Sequence, residues 1–351
     1  MRKGLGVIVF IMLTTGLLGQ VGGLHAFEFL NLTSSPTVAA LGGKLISNPA
    51  TDLSLVYYNP ALLTNEMRKN FTLNYVNYFA GVNYGYVSLA EPFRDSGNIA
   101  FGIQYINYGT FTGADEAGLF TYPFYAAEYA FNFTGSYPIN DRINAGVDIR
   151  PILSVYEHYQ SFGISTDYGL TYRNPEKLYT LAFVIRNLGT QIVPYYKGNY
   201  ESLPFEIQFG YTQKLKYAPF IFSITAHHLE TPDLSVKTKD SGTESSSTSS
   251  SQTPSKKGIE KATDLMMRHI IFGVEFVPLK NFYFRLGYNY QRRQEMKIDP
   301  RASTVGFSWG FGLSVSRFQI NFGRATYHLA GASNVFSIST NLSELFTRNS
   351  K

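Results

Sequence analysis

The chain contains no cysteine. That absence excludes a disulfide framework, a thiolate metal site and lipid attachment at a signal-peptide cysteine. Charge is scarce too: 16% of the 351 residues are charged, where a soluble domain carries about a quarter. The net charge is +5, from 30 Lys+Arg against 25 Asp+Glu, and no basic stripe has nucleic-acid spacing, so a nucleic-acid partner is not expected. Histidine is sparse at six residues, and we expect neither cofactor nor metal. Beyond the first residues no run approaches the roughly 18 consecutive apolar residues of a membrane helix. The chain either stays in water or crosses a membrane in the other permitted form, a closed barrel.

The N-terminus has the make-up of a secretory signal. Arg2 and Lys3 form a positive start, Gly4 to Gly19 an uncharged and mostly apolar stretch, and small residues follow. Residues 1–19 are the expected signal peptide, with cleavage after Gly19 or as late as Ala26.

Aromatics, by contrast, are abundant: 26 Tyr and 28 Phe, with a single Trp. Tyr places its ring in an apolar zone and its hydroxyl at a wet edge, which suits a surface with two apolar-to-polar boundaries. From about Asn70 onward these residues alternate with small and polar ones. Phe162, Ile164, Thr166, Tyr168, Leu170 and Tyr172 share one face of a strand, and Gly163, Ser165, Asp167, Gly169 and Thr171 the other. Val305 to Ser314 and Phe282 to Gln291 repeat the pattern. A soluble sandwich fills its apolar face with interdigitating Val, Ile and Leu; here that face is large and aromatic, and the opposite one is small, polar and charged. The fold class expected is all-β, a transmembrane antiparallel barrel of about fourteen strands with lipid outside and a polar interior.

Candidate strands start near 70, 82, 97, 124, 141, 160, 178, 205, 218, 268, 281, 304, 317 and 333. Links near 109–123, 155–160, 189–204, 230–267 and 292–303 are medium to long and alternate with tight turns, as long extracellular loops alternate with short periplasmic turns in outer-membrane barrels. The short first link, around Ala80 and Gly81, is the exception. The barrel is thus expected over 70–341, with a tail at 342–351. The Ser/Thr/Lys-rich segment 236–264 cannot bury a core and is expected to be a disordered extracellular insert. Residues 27–65 alternate poorly and are expected to fold into the lumen as a plug, with Tyr58, Asn59 and Pro60 at a turn.

Motifs that could carry chemistry are few. Gly306 to Gly310 matches the GxSxG pattern of hydrolases, but that elbow needs a strand-to-helix turn and here the alternation is unbroken, so Ser308 is an inward strand residue. His227 and His228 are adjacent on a candidate strand and would point to opposite faces, unable to share a metal. No enzymatic role is expected. One constellation stands out: Glu128, Asp148, Arg150, Asp167, Arg186 and Arg285 all fall on polar strand faces. Two roles are open to it: pairing that rigidifies the wall or holds the plug, and a charged constriction for a permeant solute. Pro151, beside Arg150, could interrupt a strand ladder, although it is placed near a strand end where a bend would simply close a loop.

The segment ATDLSLVYYNPALL resembles the N-terminal region of FadL-like outer-membrane proteins, in which a plug precedes a fourteen-stranded barrel. Longer runs resemble the PorQ family of the type IX secretion system: FEFLNL and VAALGG within 27–43, LNYVNYFAGVNYG (73–85), GIQYINYGTF (102–111), VIRNLGTQI (184–192), PFEIQFG (204–210), APFIFSITAHHL (218–229), FRLGYNYQRRQEM (284–296) and the run 322–346. The 236–264 insert departs from that resemblance. Membership would imply an outer-membrane anchor of the attachment machinery, holding a PorZ-like surface protein in a larger complex with PorU- and PorV-like components. Outer-membrane lipid and lipopolysaccharide would be its other contacts, and it would carry no catalytic residues of its own. The links 109–123, 189–204 and 292–303 would then form the docking surface, with Tyr122, Phe124, Tyr195, Tyr196 and Arg293 as anchors, because interface centres favour aromatic and Arg side chains. The competing expectation is a FadL-type channel for hydrophobic molecules.

Overall fold

The alternating segments become strands because each can present its aromatic face to one environment and its small or polar face to another. A computed structural model describes residues 25–79, 81–93, 97–115, 117–235, 258–296, 304–328 and 331–346. The strands are β1 (Asn70–Asn77), β2 (Asn83–Phe93), β3 (Gly97–Ala114), β4 (Phe120–Pro138), β5 (Ile143–Tyr156), β6 (Tyr159–Asn174) and β7 (Tyr179–Val193). There follow β8 (Glu206–Lys214), β9 (Phe220–Ala226), β10 (Ile270–Leu279), β11 (Phe282–Asn289), β12 (Phe307–Val315), β13 (Phe318–His328) and β14 (Gly331–Asn341). Each pairs antiparallel with its sequence neighbour. β1 closes on β14 from Asn70↔Asn341 to Asn77↔Asn334, giving a barrel of fourteen strands.

The faces sort as the alternation requires. On β12, Phe307 and Trp309 are exposed while Ser308 and Gly310 are buried. Around the barrel Leu73, Phe101, Ile149, Phe183, Phe209 and Ile338 are likewise exposed. An outer face dominated by aromatic and aliphatic side chains on a closed sheet suits hydrocarbon, not water. Among the described residues no helix is long and apolar enough to cross a membrane.

Residues 25–69 lie inside. 3-10 turns at Glu28–Asn31, Leu53–Tyr57, Pro60–Leu62 and Asn65–Met67 and a short helix, Pro36–Ala40, give the plug its local order. Polar side chains start three of these five pieces: the Ser35 hydroxyl accepts from the Val38 amide, Asp52 from Ser54 and Asn59 from Ala61. The apolar core lies between plug and wall, with Leu30, Val38, Ile46, Leu55 and Leu63 fully buried. The wall supplies room through inward glycines. A side chain added at Gly146 would meet the Pro60 carbonyl carbon at 2.3 Å, and one at Gly169 the Asn59 Oδ1 at 2.2 Å. These two glycines are register partners, so together they seat the Asn59–Ala61 turn.

Several expected boundaries change. The link placed at 109–123 is mostly strand: β3 has 18 residues and β4 has 19, against about 9–11 needed to cross a bilayer. Both faces of Phe111–Ala114 and Phe120–Pro123 are largely exposed, so this hairpin projects beyond the barrel. The link at 155–160 contracts to Glu157 and His158, with Glu157 at φ 54°, and β14 begins three residues after β13 ends. Long links remain after β7, β9 and β11. Within the 236–264 insert, residues 236–257 lie outside the described residues, but 258–264 belong to a helix, Gly258–Arg268, helped by an i,i+4 pair between Asp264 and Arg268 at 3.1 Å. The tail at 342–351 opens with a short helix, Leu342–Phe346. The expected signal peptide, 1–19, lies outside the described residues. Pro151 is in mid-strand, paired with Ile164 of β6. The β4–β5 ladder instead skips from Ala130↔Ile152 to Phe133↔Ile149 without changing register, as expected where proline removes a donor.

Candidate functional site

Four of the six predicted charged residues form one band on the inner wall of β5, β6 and β7. Arg150 contacts Asp148 and Asp167 at 2.9 Å each and donates to Asn187 at 3.0 Å. Arg186 stands 3.6 Å from Asp167, and its register partner on β8 is Glu206. Every member is nearly inaccessible to solvent. The plug covers the band: the Arg150 guanidinium lies 4.7 Å from the Tyr57 ring centroid, and Arg186 lies 5.4 Å from Tyr57 and 5.5 Å from Tyr58. Such stacking is worth about 2 kcal/mol or more once desolvated. Burial pushes the Tyr58 phenol up to about 12, so it stays neutral while its oxygen accepts from the amides of Ser34 and Ser35 at 2.9 and 3.2 Å.

Arg285 and Glu128 are elsewhere. Arg285 donates to Glu275 on neighbouring β10 at 2.8 Å, and plug residue Asn48 donates to the same carboxylate at 2.6 Å. Glu128 lies on β4, opposite Ser154 of β5, where Tyr108 donates to it at 2.5 Å. The set is therefore three stations rather than one ring, and two of them grip the plug. Further plug-to-wall bonds were not expected from the sequence. Lys44 pairs with Glu206. Ser308 donates to Ala40 O at 2.9 Å and accepts from Gly42 N at 3.0 Å, so the serine of the GxSxG match is occupied in holding the plug. Asn59 donates to Thr171 at 3.1 Å and to Ile46 O at 2.7 Å.

Two positions break the alternation that located the band. Asn187, at φ 54°, lies at a register shift between β6 and β7 that turns both it and Arg186 inward. His228, at φ 52°, follows the end of β9. The expectation that His227 and His228 face opposite ways is overturned: with the strand finished and the backbone left-handed, both rings approach Glu206, and ligand atoms of the three residues lie within 4.8 Å of one another. A non-glycine residue in that region is uncommon and no periodicity announces it.

The predicted contact residues divide. Tyr122 is exposed on the projecting hairpin and donates to Glu157 at 2.6 Å; Phe124 beside it is half-buried and stacks on Phe111 at 5.3 Å. Tyr196 is exposed and packs on Tyr159 at 4.8 Å. Tyr195 turns into the mouth of the barrel, 6.5 Å from the Phe27 ring and donating to Ser154 at 2.6 Å. Arg293 lies on a helix, Tyr290–Met296, and donates to Val305 O at 3.4 Å. The hairpin adds Leu119 and Phe120, the latter 82% exposed.

Cavities lie at both ends. One of about 460 Å³ sits at the short-turn rim beside Met67, Asn98 and Arg142, and one of about 370 Å³ at the loop rim beside Lys44, Phe79 and Arg292; the plug lies between them.

No protein-family model matches the chain, and no curated protein matches it in sequence. Solved structures do resemble it. A deletion mutant of the monoaromatic hydrocarbon channel TodX matches with TM-score 0.53 at 12% identity, over 89% of this chain and 99% of that one. The Ralstonia pickettii toluene transporter TbuX matches with TM-score 0.52 at 11% identity, over 89% and 99%. The monoaromatic hydrocarbon channel CymD matches with TM-score 0.52 at 13% identity, over 90% and 98%. The overall fold is therefore the one these hydrocarbon channels and transporters share, here a closed barrel of fourteen strands.

Proposed function

We propose that this chain is an outer-membrane barrel that works as a platform, anchoring a surface protein of the PorZ kind within a type IX attachment complex. The observation that supports this most is the pairing of a plugged interior with a projecting, apolar rim. The plug is tied to the wall through buried polar bonds on β6, β8, β10 and β12, involving Thr171, Glu206, Glu275 and Ser308, and cutting such bonds leaves buried groups unpaired. At the loop rim, Leu119, Phe120, Tyr122, Tyr196 and Tyr200 are exposed beyond the sheet. Large apolar groups gathered on a projecting hairpin and its neighbouring loop fit a protein contact.

The second reading is a channel for hydrophobic molecules. The fold likeness favours it, as does an apolar groove of about 650 Å³ on the outer wall. The groove is lined by Leu73, Tyr75, Gly85, Val87, Ile103 and Tyr105. Affinity purification from detergent-solubilised membranes followed by mass spectrometry separates the two. A stoichiometric surface protein is the platform outcome. A lone barrel carrying an apolar small molecule is the channel outcome and would overturn the platform reading.

A further inference from the structure

The cluster at the end of β9 gathers two imidazoles and a carboxylate that keep buried polar atoms without a protein partner. His227 is 1% exposed, yet neither ring nitrogen has a hydrogen-bond partner; Glu206 is wholly buried and its Oε2 has none. Buried polar atoms left in this way deserve an explanation such as a bound ion, and here they sit on side chains that ligate metals. His227 Nδ1 is 3.9 Å and His228 Nε2 3.7 Å from Glu206 Oε1. Two imidazoles and a carboxylate converging on one point form a donor set for a divalent transition metal.

The second rank of residues fits as well. Glu230 Oε1 lies 2.9 Å from His228 Nδ1. A carboxylate there accepts a hydrogen bond from the Nδ1 N–H, which keeps the proton on Nδ1 and leaves the Nε2 lone pair facing Glu206, the arrangement that orients metal-bound histidines. The cavity at the loop rim reaches His227 and Lys44, which gives an ion a route inward. Tetrahedral ligands about 2.1 Å from zinc stand about 3.4 Å apart, so small side-chain rotations close the observed spacing.

The point these groups face already has a cation beside it. The Lys44 ammonium contacts Glu206 Oε1 and lies 3.2 Å from His228 Nε2. We propose that Glu206, His227 and His228 form a binding site for a zinc-class divalent metal ion, and that Lys44 of the plug competes with the ion for it. Metal entering the site displaces the ammonium from Glu206 and releases one tether between plug and wall. This goes beyond the platform reading and stands independently of it.

The test uses the purified full chain in detergent, stripped with chelator, titrated with zinc sulfate and followed by calorimetry and elemental analysis. Lys44→Met is expected to bind one equivalent at least tenfold more tightly than the wild type, and zinc should raise its melting midpoint. Removing one ligand with His228→Gln in the Lys44→Met background should weaken binding at least tenfold, and Glu230→Gln, which only positions His228, should weaken it by a similar or smaller factor. The electrophoretic shift between heated and unheated barrel reports folding of each variant, and Glu230→Gln keeps all three ligands if His228→Gln does not fold. Absence of zinc binding by both wild type and Lys44→Met overturns the proposal. So does binding that survives both the His228 and Glu230 substitutions, and so does equal affinity in wild type and Lys44→Met.

Discussion

The ring of Tyr57, on the plug, faces the guanidinium of Arg150, on the barrel wall, at 4.7 Å. Arg150 is also the cation between Asp148 and Asp167, which are register partners on β5 and β6. It therefore separates two buried carboxylates and docks the plug at once. Arg150→Ala leaves those carboxylates facing each other, and breaking a buried pair in this way costs about 3–5 kcal/mol. We expect the thermal midpoint of the detergent-solubilised barrel to fall clearly. Arg150→Lys should recover only part of the loss, since an ammonium lacks the planar fork. An unchanged midpoint in Arg150→Ala would show that the band does not hold the structure together.

Gly169 seats the plug by having no side chain. The nearest atoms to an added Cβ are Asn59 Oδ1 at 2.2 Å and Ala61 N at 3.0 Å. Gly169→Val must push the Asn59–Ala61 turn away from the wall. We expect the barrel to persist, as judged by its electrophoretic mobility, while conductance across a planar bilayer rises. Gly135→Val serves as control, because nothing lies within 4 Å of an added Cβ there. A Gly169→Val protein as silent as the wild type would mean that the plug adjusts in place.

Ser308 makes two hydrogen bonds to the plug and sits within a GxSxG match. Ser308→Ala removes both bonds and leaves the Gly42 amide only its long bond to Ala39 O at 3.4 Å, so it should cost about 1 kcal/mol in stability. Any esterase activity measured on generic substrates should be the same in variant and wild type. A drop in turnover with an unchanged melting midpoint would reverse this assignment.

Much of the architecture was legible because one rule, alternation, acts at every strand. Asp167 could be placed in the lumen from the residues flanking it, since Tyr168 and Thr166 had to face the other way. Glu275 is equally legible, since it falls on the inward phase of β10 directly across from Arg285. The rule fails where the backbone leaves the strand. Asn187 and His228 adopt left-handed conformations, so each turns inward together with the residue before it, and pattern alone sets neighbours on opposite faces. Lys44–Glu206 spans 162 positions of sequence, and no local signal encodes such a contact. The 109–123 segment reads as a loop because Gly113, Asp115, Glu116 and Gly118 interrupt the aromatic pattern, while Phe120, Tyr122 and Phe124 still alternate with Thr121 and Pro123. No burial pattern marks the length of the projecting hairpin, since both its faces meet the same surroundings.

The loop rim offers a contrast between adjacent residues. Tyr196 is exposed, whereas Tyr195 turns inward to Ser154 and the Phe27 ring. If the rim is a protein contact, Tyr196→Ala combined with Phe120→Ser should reduce co-purification of the surface partner while leaving the melting midpoint within error, because neither side chain closes the barrel. Tyr195→Ala should do the reverse, lowering the midpoint by loosening the start of the plug and affecting recovery only as far as the fold is lost. Measuring both quantities on the same preparations separates contact from stability. Undiminished recovery from the Tyr196 and Phe120 double variant, with the partner otherwise stoichiometric, would move the docking surface away from this hairpin.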